Sequence, residues 1–217
     1  ADKDAAAFVG EYKPATSLLN IKKPVTVGSL VLPDFYTECR WQQVEALRRS
    51  MQVIERVGAE YGKLSGRAYG FYEKYKLDDA EVALVGLGSA MGTAKVAVDT
   101  LRQAGVKAGL LKLRVFRPFP AEQLKEALKK VPAVAVLDRS ISYGLEGGPL
   151  FNEIRSAMYG CSGYLTNFIY GLGGRDVSPD DIKNAVKATL DASRGKAKLS
   201  VMNTIGLRGE GGKPVCV

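Results

Sequence analysis

The chain has 217 residues, with 31 basic side chains against 23 acidic ones, a net charge of +8, 46% hydrophobic residues, 24 Gly, 3 Cys and no His. That length accommodates one globular domain with attachments and a core of useful size. The missing imidazole excludes Ser-His-Asp and Cys-His nucleophilic sites, His-ligated zinc or haem, and any switch that titrates a histidine.

The three cysteines, Cys39, Cys161 and Cys216, form no CxxC spacing, so the chain alone is expected to build neither an iron–sulfur site nor an all-cysteine zinc site, and no metal site is expected. An odd, scattered cysteine count, with no apolar leader or small-residue cleavage site, predicts a reducing, cytoplasmic setting. No apolar run approaches the 18 or so residues that a membrane-spanning helix requires. The positive charge is spread along the chain, with a local excess only in the tail, where Arg194, Lys196, Lys198, Arg208 and Lys213 face Glu210. A solvated surface explains this distribution better than a nucleic-acid face.

Residues 1–36 are punctuated by Pro14, Pro24, Gly28 and Pro33 and read as an extended linker; Phe8, Val9, Tyr12, Leu18, Leu19 and Ile21 suggest that it lies along a surface. Residues 37–64 read as one long connecting helix, started by Asp34 or Thr37 as cap. Val44, Leu47, Met51, Ile54, Gly58 and Tyr61 recur on one face, which is either a packed core face or an oligomer seam. Residues 68–72 form an aromatic stretch with strand propensity, and 76–79 a polar turn.

Four strand-then-helix units follow. The expected strands are 82–87, 108–115, 134–137 and 164–170, and the expected helices 90–104, 121–130, 149–158 and 179–192. Short continuous apolar strands alternating with helices predict an α/β domain over 65–194, with a parallel sheet covered on both faces. Residues 195–217 read as a carboxyl-terminal arm or frayed tail.

Glycines recur where strands meet helices. Gly86-Leu87-Gly88-Ser89-Ala90-Met91-Gly92 has the shape of an anion-binding turn, with Ser89 as a helix cap, but it is not the dinucleotide GxGxxG spacing. No acidic residue closes the second strand to hold a ribose; that strand ends in Leu113-Arg114-Val115-Phe116-Arg117. Pro118 and Pro120 terminate the strand and start the next helix. Asp138-Arg139 follows the third strand, as a buried ion pair or as part of a site. Gly171-Leu172-Gly173-Gly174-Arg175-Asp176 closes the fourth. Gly86, Gly88, Ser89, Arg114, Arg117, Gly173, Gly174 and Arg175 thus form a candidate anion-accepting rim along the carboxyl edge of the sheet. None of them sets a nucleophile beside a base, and no catalytic residue is assigned.

The succession 66–70, 78–81, 85–89, 109–120, 136–139, 147–150 and 171–177, with its Arg117-Pro118-Phe119-Pro120 and Gly171-Leu172-Gly173-Gly174-Arg175-Asp176 blocks, resembles the alpha subunit of pyruvate:ferredoxin oxidoreductase, or pyruvate synthase. It is similar to the carboxyl-terminal, transketolase-C-like part of that subunit. The resemblance implies a three-layer α/β/α fold with a five-stranded, mostly parallel sheet whose first strand is antiparallel. Residues 68–72 are the candidate for that strand, with a reversal at 76–79 if the first two strands are adjacent.

The resemblance also implies oxidative decarboxylation of a 2-oxoacid, most simply pyruvate to acetyl-CoA, with CoA and ferredoxin as partners of the whole enzyme. Thiamine diphosphate, Mg²⁺ and 4Fe-4S clusters would be held by other domains or by the beta, gamma and delta types of subunit. No GDG triplet is present here, and the pyrimidine-binding domain would precede Ala1. The expectation is an assembly domain, inactive alone, from a fragment or a split subunit, binding no cofactor itself and neither nucleic acid nor membrane. The alternative is a free-standing nucleotide- or anion-binding α/β module.

Overall fold

The computed structural model describes residues 2–28 and 30–208. They divide into two compact units, Ala1–Tyr69 and Gly70–Val217. The expectations for Cys216, Glu210 and Lys213 lie outside the described residues.

The first unit contains helix α1 (Asp2–Val9), an irregular stretch, and the long helix α2 (Pro33–Ser65). Asp2–Val9 is helical inside the stretch expected to be extended. Its three alanines and two first-turn acids favour a helix. Helix α2 has 33 residues and is about 50 Å long. It begins earlier than Asp34 or Thr37 would place it, because Pro33 at the first helical position presets φ and Leu32 is extended at φ −76°; no side chain caps the end. Gly66, at φ 70°, stops the helix and donates its N–H to Gly62 O at 2.9 Å. The chain then folds back along α2, where the missing side chain of Gly58 leaves room for the Tyr69 carbonyl. Tyr61 packs on Tyr69 at 5.8 Å between ring centroids and edge-on to Phe8 at 6.5 Å. None of the residues of α2 is buried.

The second unit is built on a six-stranded sheet in the order β1-β3-β2-β4-β5-β6. The strands are β1 (Tyr72–Tyr75), β2 (Val82–Leu87), β3 (Ala108–Leu113), β4 (Ala133–Asp138), β5 (Tyr164–Ile169) and β6 (Met202–Thr204). Strand β1 runs antiparallel to β3, pairing Tyr72 with Leu113 and Tyr75 with Leu110; every other pairing is parallel. Helices α3 (Ala90–Gln103) and α6 (Pro179–Ser193) cover one face, and α4 (Ala121–Leu128) and α5 (Pro149–Ala157) the other.

The two-residue side-chain period of a strand explains the two cores. Val82 and Leu84 join Met91, Ala94, Leu101, Ile182 and Val186 on one side, while Ala83 and Val85 join Leu124, Leu128, Leu150, Phe151 and Ile154 on the other. Strand β4, buried at every position, is the middle of a three-layer sandwich. The predicted fold class therefore holds, with two corrections, and the open question of strand adjacency is answered.

The antiparallel strand is Tyr72–Tyr75 rather than 68–72, because Phe71 turns into the core and its carbonyl accepts from Arg114 N at 2.8 Å. It is not the sheet neighbour of β2; β3 lies between them. The turn at 76–79 therefore crosses over β3, in a close approach that Gly109 permits, since a Cβ there would come within 2.7 Å of Lys76 O. The sheet has six strands rather than five because part of the expected tail, Met202–Thr204, adds to β5. Asn203 anchors it, donating from Nδ2 to Thr166 Oγ1 at 3.0 Å and to Asn167 O at 3.2 Å.

Candidate functional site

In this sheet the chain leaves β2 in one direction toward β3 and returns to its other side at β4. Open α/β sheets bind ligands at such a reversal, outside the carboxyl ends of the strands. A cleft of about 390 Å³ lies there, lined among others by Gly88, Ser89, Phe116, Asp138, Arg139 and Tyr170.

Its most constrained member is Asp138, the last residue of β4, which is only 5% exposed. Its Oδ1 accepts from Leu150 N at 2.9 Å and its Oδ2 from Phe151 N at 2.9 Å, both in the first turn of α5. The carboxylate thus satisfies two of the donors that every helix start leaves unpaired. Asn167 Nδ2 adds a third bond to Oδ2 at 3.0 Å. Burial pushes the Asp138 carboxyl above its ordinary range, against the three hydrogen bonds that favour the charge. Asp138 makes no ion pair with Arg139 among the described residues; Arg139 Nε donates instead to Gly171 O at 3.0 Å.

Asn167 was not singled out by the sequence. It is fully buried, and besides Asp138 its Nδ2 reaches Val136 O at 2.9 Å while its Oδ1 accepts from Gly148 N at 3.0 Å. The available signal was an amide inside the apolar run of β5, since a buried amide requires partners on both ends. Gly147 and Gly148 allow the loop to close over this pair: a Cβ on Gly148 would lie 2.7 Å from Asp138 Oδ1.

The structure gathers only part of the candidate rim. Gly88 and Ser89 line the cleft, Ser89 at the head of α3 without a side-chain capping bond, whereas Gly86 is buried inside β2 against Met91. Arg114 pairs with Glu73 at 2.7 Å, beside the β1 edge. Arg117 pairs with Glu153 and stacks over Phe116 at 4.3 Å. Gly173 and Gly174 form a 3-10 turn after β5, and Arg175 donates to Gly206 O. Three of the rim's cations are thus committed to separate partners and do not converge on a diphosphate.

Residues 80–182 match the family model for pyruvate:ferredoxin oxidoreductase core domain II. The pyruvate synthase subunit PorA of Thermotoga maritima is 42% identical over 95% of this chain and 52% of its own length. Residues 80–182 are thus a core domain of the pyruvate:ferredoxin oxidoreductase type. The ketoisovalerate oxidoreductase subunit VorA of Pyrococcus abyssi is 44% identical over 81% of this chain and 45% of its own length. The chain spans about half the length of these curated relatives. Among solved structures, a 2-oxoglutarate:ferredoxin oxidoreductase from Magnetococcus marinus aligns over 60% of this chain and 21% of its own, at 20% identity and a TM-score of 0.45.

Cofactors of such enzymes find no fitting ligand set in the residues described. No group of three or more Cys, Asp or Glu side chains is placed to hold a metal ion among them, and Cys39 and Cys161 belong to different units. The two described cysteines do not make the ligand set of an iron–sulfur cluster, and no described residue is assigned to one. No described helix is long and apolar enough to cross a membrane.

Proposed function

We propose that this chain is an assembly domain of the alpha subunit of a cytoplasmic, thiamine-diphosphate-dependent 2-oxoacid:ferredoxin oxidoreductase, with pyruvate as the oxoacid and acetyl-CoA as the product. The observation that carries the reading is the 42% identity to a pyruvate synthase subunit over 95% of the chain. In this reading the second unit is a rigid α/β block that helps to hold the neighbouring subunits in place. Decarboxylation and electron transfer to ferredoxin then occur on those subunits and on the part of the alpha polypeptide that carries the thiamine diphosphate.

The committed arginines of the rim weigh against the free-standing nucleotide-binding module. An arginine held by Glu73 or Glu153 offers less charge to an incoming phosphate than a free one.

The test is reconstitution. The purified chain should not consume pyruvate. Combined with the rest of the alpha polypeptide and the remaining subunits, it should restore pyruvate- and CoA-dependent reduction of ferredoxin, and mixtures lacking it should not. Turnover by the chain alone, or full turnover without it, would overturn the reading.

A further inference from the structure

The cleft between β2 and β4 has mainly apolar walls, among them Leu87, Phe116, Leu137 and Leu150, and its 390 Å³ is in the range of small-molecule sites, with room to spare around a substituted benzene. Its polar groups are few, and several have atoms unused by the chain. Tyr170 is the most telling. The residue is 5% exposed, yet its hydroxyl has no hydrogen-bond partner among the described residues. Tyrosine hydroxyls brought into a protein usually find a partner. Among the described residues the fully enclosed side-chain atom without a partner is Gln123 Oε1, so the Tyr170 hydroxyl is not sealed off, and the charges of Arg139 and Asp138, two residues of this cleft, act on it. Burial raises the phenol's pKa, which keeps its proton in place as a donor.

Two more such groups sit in the same cleft. Arg139 spends Nε on Gly171 O, and its outer guanidinium nitrogens make no hydrogen bond or ion pair among the described residues. The Ser89 hydroxyl opens α3 without capping it, beside Gly88, whose φ of 76° and missing side chain leave the backbone accessible at the positive end of the helix. Asp138 also lines the cleft, but both of its oxygens are turned to donors of the chain itself, Leu150 N, Phe151 N and Asn167 Nδ2.

We propose that this cleft binds a small organic anion, with an apolar body seated against Leu87, Phe116 and Leu137, and one carboxylate or phosphate accepting from the Tyr170 hydroxyl and the Arg139 guanidinium at the head of α3. Neither the family match nor the proposed assembly role requires such a site, and its failure would leave both untouched.

The test uses the full 217-residue chain, titrated by calorimetry with phenyl phosphate and with benzoate, with benzyl alcohol as the neutral control, and amide shifts recorded by NMR. At least one of the anions should saturate a single site, moving the amides of Gly88, Ser89 and Arg139, while benzyl alcohol binds at least tenfold more weakly. The tighter anion identifies the head group. Tyr170→Phe should weaken binding about 5- to 10-fold without lowering the melting temperature, because it removes an oxygen that has no partner in the chain. Arg139→Met should weaken it about tenfold or more. Absence of saturable binding, equal binding of benzyl alcohol, wild-type affinity in either variant, or a melting temperature depressed in Tyr170→Phe would each overturn the proposal.

Discussion

Asn167 holds Asp138 from the neighbouring strand: its Nδ2 donates to Asp138 Oδ2 at 3.0 Å, while its own Oδ1 accepts the Gly148 N–H at 3.0 Å. One amide therefore couples the end of β4 to the loop that starts α5. A buried carboxylate survives only when its lone pairs are satisfied, and the removal of one partner leaves the desolvation cost in place. Asn167→Leu, similar in size but without donors or acceptors, should destabilise the second unit by about 2–4 kcal/mol. Native-state amide exchange of the β4 amides would measure the loss. Protection equal to the wild type would show that the network is not coupled as described.

Two glycines in the same loop separate crowding from backbone strain. Gly148→Ala would push a methyl into Asp138, with a predicted cost of about 2 kcal/mol or more and loss of the Leu150 and Phe151 bonds. Gly144→Ala meets no atom within 4 Å and suffers only from its φ of 81°, so about 1 kcal/mol is expected. Thermal melts of the two variants should rank them in that order.

The edge strand carries a pH-dependent clamp. Glu73 bonds Lys95 and Arg114, and the Lys95 hydrogen bond, with help from Arg114, holds the Glu73 carboxyl below its ordinary value of 4.5. A carboxylate with a depressed folded-state pKa contributes stability above its unfolded value and loses it as pH falls through the folded one. Protection of β1 and β3 amides should therefore decline below about pH 4.5, and Glu73→Gln should flatten that decline. Asp138 has the opposite sign. Its raised value makes stability fall as pH climbs from 3.8, and Asn167→Leu should steepen that fall. A low-pH decline of the β1 and β3 amides that Glu73→Gln leaves unchanged, or a β4 profile that Asn167→Leu leaves unchanged, would contradict the assignment.

In the first unit, Gly58→Ala should detach residues 66–69 from α2, because its methyl would overlap the Tyr69 carbonyl. Faster proteolysis near Gly66 than in the wild type is expected, with the second unit unchanged. Equal cleavage rates would show that the fold-back does not need that glycine.

The second unit's interior was readable because its signals are local. Strand β2 matches its expected 82–87 span, and helices α3, α4, α5 and α6 begin at the expected Ala90, Ala121, Pro149 and Pro179. Continuous apolar runs and prolines at helix starts need no knowledge of distant partners. The two edge strands were misread because they are short and set by distant contacts. Strand β1 is located by its pairing with β3, and β6 by the reach of Asn203 to Thr166 across 37 positions. The candidate rim failed in part for the same reason. Glu73 and Glu153, 41 and 36 positions from the arginines they claim, gave no sign in sequence of that commitment. The Asp138 position at the sheet's carboxyl end was legible from strand order; its three donors, including Asn167 at a separation of 29, were not.

The central claim, that this chain is one working part of a larger 2-oxoacid:ferredoxin oxidoreductase, is tested most directly by native mass spectrometry of the assembly purified from its source through a tag on this polypeptide. The account predicts a multisubunit complex that contains it together with iron–sulfur clusters and thiamine diphosphate on its partners, and that reduces ferredoxin with pyruvate. A lone 23.3 kDa species with no partners would contradict it.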